Sequence, residues 1–122
     1  MTEFYKIQNR KKRLFNININ LLLIIINIVS FILFSVLIYF NNNFLDYIAL
    51  KPSNIVNKLY LWTFITSMFM HGGLFHLLAN MLSLMFIGNF VEKLLGKKRF
   101  LYLYLLSGIF AGIFFVLISL LL

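Results

Sequence analysis

Residues 71–96 read H-G-G-L-F-H-L-L-A-N-M-L-S-L-M-F-I-G-N-F-V-E-K-L-L-G, and this stretch decides the fold. Between the Gly72-Gly73 entry and Gly96, the only charged residues are Glu92 and Lys93, both near the far end. A helix needs about 20 mainly apolar residues to cross the hydrocarbon core of a bilayer, so residues 74–95 are expected to form a membrane span. Two further apolar runs flank it. Leu21 to Phe40 carries no charge and is interrupted only by Asn27, Ser30 and Ser35; Phe100 to Leu122 is likewise uncharged. Of the 122 residues 62% are hydrophobic, and the mean hydropathy is +0.96. A water-soluble domain is about 45–50% apolar, so lipid must be the solvent for part of this chain. The length allows one domain at most.

Charge sets an expected orientation. Three residues are acidic (Glu3, Asp46, Glu92) against eleven Lys and Arg, a net charge of +8. In a soluble protein this excess would point to nucleic acid; here the cations flank apolar runs, which is how membrane proteins fix their topology. Lys6, Arg10, Lys11, Lys12 and Arg13 precede the first span, Lys93, Lys97, Lys98 and Arg99 border the turn between spans two and three, and the long connection holds only Lys51 and Lys58. The positive-inside rule then places the N-terminus and the basic turn in the cytoplasm and the connection outside, in a multi-pass protein expected in the cell membrane. A signal peptide would show a shorter apolar core followed by small residues; Asn41-Asn42-Asn43 follows instead. There is no cysteine, which excludes disulfides and thiolate ligands.

Residues 41–73 connect spans one and two. The segment holds the only proline, Pro52, and many aromatic and aliphatic residues, among them Phe44, Tyr47, Tyr60, Trp62 and Phe64. Such a loop does not hang in water, and Trp and Tyr favour the membrane–water boundary. Short helices lying in the interface are expected.

The residues able to carry chemistry lie on span two. His76 and Asn80 stand one helical turn apart on one face, about 40° from each other. Both can donate hydrogen bonds. A pair of donors on one face inside a membrane could hold an anionic oxygen, or could simply bond to neighbouring helices. His71 is read as a local hydrogen-bonding residue at the turn. With His76 it makes a poor metal site, since zinc takes at least three protein ligands and no Asp, Glu or Cys is near. Neither metal nor cofactor is expected. Glu92 lies about 24 Å along the helix from His76, too far to share its chemistry. It is assigned a structural role within Gly88-x-x-x-Glu92-x-x-x-Gly96, as an ion pair or a bond to backbone amides at the turn. Gly108-x-x-x-Gly112 on span three, with Ala111, reads as helix packing. Ser107 has Leu105 where a Gly-x-Ser-Gly nucleophile needs glycine, and it is not taken as a nucleophile.

The order of Trp62, Thr66-Ser67-x-Phe69-x-His71-Gly72-Gly73, His76-x-x-x-Asn80-Met81, Gly88-x-x-x-Glu92-x-x-x-Gly96 and Phe100 through Ser107-Gly108 resembles the early part of a rhomboid domain, a family of intramembrane serine endopeptidases. The resemblance covers about half of the chain strongly; the first span and the connection match in layout. It implies an all-α membrane protein contributing three helices of a six-helix bundle with a long interfacial loop. It also implies that His76 and Asn80 stabilise the oxyanion of the tetrahedral intermediate, and that Trp62, His71, Gly72, Gly88, Glu92, Gly96, Gly108 and Gly112 are structural. Thr63 departs from the arginine that often follows the tryptophan in the family. The family's serine, in Gly-x-Ser-Gly on span four, and its general base, a histidine on span six, have no counterpart in residues 1–122. The chain stops inside Leu120-Leu121-Leu122. The expectation is therefore one rhomboid-like domain over 1–122 that is incomplete at its C-terminus, inactive alone, and partnered by lipid, the missing spans and membrane-protein substrates. The alternative is a non-catalytic rhomboid-like protein that binds other membrane helices.

Overall fold

The computed structural model describes Glu3 and residues 17–122; the basic flank from Lys6 to Arg13 lies outside the described residues. Three helices are long and apolar enough to cross a membrane: Ile19–Phe40, Leu74–Leu95 and Lys97–Leu121. The first, α1 (Ile19–Phe40), starts two residues before the apolar run because Asn18 caps it, its side chain accepting from the Leu21 amide at 2.9 Å. It ends where the asparagine run begins, with the Asn41 amide bonded to the Leu37 carbonyl.

The connection folds into short helices: α2 (Phe44–Ile48), α3 (Pro52–Lys58), α4 (Thr63–Thr66) and a 3₁₀ turn over Ser67–Phe69. Pro52 suits the first turn of α3, where its missing N–H is not needed. These pieces are tied to one another by polar side chains bonding to backbone carbonyls. Asn54 donates to Asp46 O at 2.8 Å, Thr66 to Ile48 O at 2.7 Å, and Trp62 Nε1 to Tyr47 O at 2.8 Å. Trp62 also stacks on Tyr60, which stacks on Tyr47. Thr63 is fully buried and donates to Tyr60 O, so the residue that departs from the family's arginine tightens the turn locally.

The second spanning helix is continuous but not uniform. It comprises α5 (Leu74–Ser83), a π-helical turn over Leu84–Gly88, and α6 (Asn89–Leu95). Gly96 ends it with φ 84°, a left-handed conformation that glycine adopts without the strain a side chain would add. α7 (Lys97–Leu121) starts at once. It therefore includes Lys97, Lys98 and Arg99 in its first turn, three residues before the apolar run that sequence alone marks at Phe100.

Burial is inverted relative to a soluble protein. The largest fully buried side chains are Asn20, Asn27 and Thr63, while the outward faces of all three long helices carry aliphatic and aromatic residues such as Ile25, Val29, Phe86, Phe90 and Phe114. Polar groups inside and apolar groups outside is the arrangement that lipid demands.

The small residues of α7 pack against the connection. A Cβ built on Gly108 would lie 2.7 Å from the Met68 sulfur, and one on Gly112 would lie 2.9 Å from a Phe64 ring carbon. The Gly108-x-x-x-Gly112 face thus receives the connection. The reason is that the α4 and 3₁₀ segment folds back against α7 and pushes Phe64 and Met68 into it.

Candidate functional site

Span two has a chemically distinct site at each end. At the Glu92 end, the carboxylate accepts from the amides of Ile19 and Asn20, both at 2.9 Å. These are orphan donors of the first turn of α1, and a carboxylate there satisfies them and complements the helix dipole. Glu92 is buried. Its expected bond to backbone amides is therefore present, but on α1, 73 residues earlier in the chain, and not at the neighbouring turn. Asn20 completes the joint. Its side-chain amide donates to Leu84 O at 2.7 Å, inside the π turn, and to Asn89 Oδ1 at 3.0 Å. A Cβ on Gly88 would come within 2.9 Å of the Asn20 Cγ, so glycine at 88 is what lets α1 approach. A second tie lies further along: Asn27 donates to Leu23 O at 2.8 Å and to the Tyr104 hydroxyl at 3.1 Å, linking spans one and three.

At the other end stand His71, His76 and Asn80. His76 and Asn80 are both exposed on α5, and neither side chain makes a hydrogen bond among the described residues. Asn80 lines a cavity of about 730 Å³ between spans two and three, whose wall also includes His71, Ser67, Asn27, Tyr104 and Ser107. His76 is not part of that wall; its ring sits against His71, centroids 5.2 Å apart and planes at 62°. His71 is 9% exposed, and its Nδ1 has no hydrogen-bond partner. Burial holds the His71 imidazole below its ordinary pKa, and His76 beside it acts in the same direction. Ser107 lines the cavity and donates to Tyr104 O at 3.0 Å. Gly72 has open space where a Cβ would be.

The structure thus brings His71, His76 and Asn80 together and separates them from Glu92. Asn20, Asn89 and Tyr104 are participants that sequence reasoning missed. Their signal was weak: Asn20 sits just outside the first apolar run, and a tyrosine within an apolar span reads as ordinary packing.

The model of the Rhomboid domain matches residues 58–122, which is more than half of the chain and contains both ends of span two. The chain belongs to the rhomboid family. RHOMBOID-like protein 1 of Arabidopsis thaliana is 47% identical over 60 residues, covering 49% of this chain and 15% of that protein. Inactive RHOMBOID-like protein 8 of the same plant is 44% identical over 57 residues, 47% of this chain and 16% of that protein. YdcA of Bacillus subtilis (strain 168), provisionally named a rhomboid protease, is 42% identical over 52 residues, 43% of this chain and 26% of that protein. No solved structure matches the chain. This rhomboid chain spans between about a seventh and a quarter of the length of these relatives. Its three apolar helices and its family make it an integral membrane protein.

Proposed function

We propose that this rhomboid chain supplies the oxyanion-stabilising half of an intramembrane serine endopeptidase. The observation that carries the reading is the His76–Asn80 pair: two donors one turn apart on α5, unbonded among the described residues, with Asn80 at the cavity. Donors that the protein leaves free are available to a developing oxyanion, and in water-excluded sites such groups contribute most of their effect in the transition state. None of the serines stands in Gly-x-Ser-Gly, so the nucleophile and base belong to spans four to six of the family's bundle. The 122 residues act as one domain with those spans, a bilayer and membrane-protein substrates as partners. The basic flanks support a reading with the N-terminus and the Gly96 turn in the cytoplasm of a cell-membrane protein, and His76 and Asn80 toward the outer face.

Cleavage of a model single-span substrate by a polypeptide joining residues 1–122 to spans four to six tests the reading. His76→Ala and Asn80→Ala are each expected to lower kcat by about 10²–10³-fold. Unchanged cleavage in both would remove them from the mechanism. The 122-residue chain alone should not react with a fluorophosphonate serine probe.

A second reading rests on the 44% identity to the Inactive RHOMBOID-like protein 8: a non-catalytic rhomboid that binds membrane helices. In that case the joined polypeptide would also fail to label with the probe.

A further inference from the structure

His71 is the one buried polar side chain near the proposed oxyanion pair that neither the fold nor the pair explains. It stands immediately before Gly72-Gly73, is nine-tenths buried, and leaves Nδ1 without a partner. Among the described residues, the groups around it give an imidazolium no anion to pair with. From α5 it faces His76. From α7 the titratable residue on the shared cavity wall is Tyr104, and that wall includes no carboxylate, lysine or arginine. From the 3₁₀ turn only the backbone at Phe69 favours the charged form. Burying an unpaired cation is costly, so the buried ring is neutral. The linker is not closely packed: a Cβ added at Gly72 or Gly73 meets nothing within 4 Å.

We propose that His71 is a positioning residue for His76: its buried ring is the wall against which the His76 imidazole rests, and a proton on His71 draws that wall out of its pocket. The inference rests on reading His76 as an oxyanion donor. The sign follows from the burial. The inward His71 binds a proton less readily than an exposed one, so the inward position is favoured above the ordinary histidine range and is lost as the pH falls through it. His76 then loses the edge-to-face contact that fixes its ring.

The chain has two histidines, so side-chain NMR of histidine-labelled protein in lipid bicelles, followed from about pH 8 to about pH 5, resolves both. Two results are expected of the wild type. Besides any movement of their own, the His76 ring signals should show a second movement in step with His71. The cross-relaxation between the two rings, strong at the alkaline end, should vanish with the second movement. In His71→Phe, which keeps an aromatic edge but binds no proton, that second movement should be absent. In His71→Ala the His76 signals should already be displaced at the alkaline end. The proposal is overturned if wild-type His76 is indifferent to the His71 titration and keeps its inter-ring contact throughout. It is equally overturned if His71→Ala leaves His76 unchanged. The wild-type titration decides even where a variant does not fold. Because nothing is cleaved in this measurement, its failure is distinct from failure of the catalytic reading, which is tested by His76→Ala.

Discussion

The two ends of span two use similar residues to opposite purpose. At the Glu92 end the polar side chains are engaged: Glu92 accepts two α1 amides, and Asn20 bridges Leu84 O and Asn89. At the His76 end they are not: His76 and Asn80 are exposed and unbonded, and His71 keeps a buried nitrogen without a partner. Buried polar groups in a bilayer are normally satisfied, because an orphan group there costs free energy. The span engages the polar side chains at one end, with Asn20 Oδ1 the one buried atom there left unpaired among the described residues, and leaves those at the other end open.

Stability measurements by reversible unfolding in mixed micelles can break this contrast. Glu92→Ala leaves two α1 amides without their acceptor and should cost about 3 kcal/mol. If it costs no more than Asn80→Ala, the contrast fails. Gly88→Ala forces a methyl onto Asn20, which two hydrogen bonds hold in place, and should cost about 2 kcal/mol. Combined with Asn20→Ala, the penalty should fall short of the sum of the two, a coupling that a double-mutant cycle reads directly. Tyr104→Phe removes one partner of Asn27 while the bond to Leu23 O remains, for about 0.6 kcal/mol, the scale of hydrogen bonds between membrane helices. His76→Ala and Asn80→Ala should each stay within about 0.5 kcal/mol of wild type, whatever they do to cleavage.

Much of this was legible from sequence, and the reason is local. The three spans follow from uninterrupted apolar runs, and the short helices of the connection follow from its aromatic content and Pro52. The family was legible because its motifs cluster in one continuous stretch ending near Gly112. What was not legible is pairing across distance. Glu92 could be named structural, yet nothing near it in sequence points to the start of α1 as its partner. Asn27 read as an interruption of an apolar run, because its bond to Tyr104 needs the third span in place. Gly108 and Gly112 read as packing residues, but small residues do not say what approaches; Met68 and Phe64 do so because the connection folds back on α7.

The π turn at Leu84–Gly88 has a consequence for how this chain tolerates change. In it the Asn89 amide bonds to Leu84 O, so the span holds one residue more than a regular helix of the same number of turns. Each residue advances a helix by about 100°. Deleting one residue between 84 and 88 would leave a regular helix of the same number of turns, with Glu92 still facing α1 and His76 and Asn80 keeping their side, whereas a deletion on either side of the turn would rotate one end against the other by that angle. The span is therefore two separately phased segments joined by an adjustable coupling, and a length change in one half reaches the other only through those five residues.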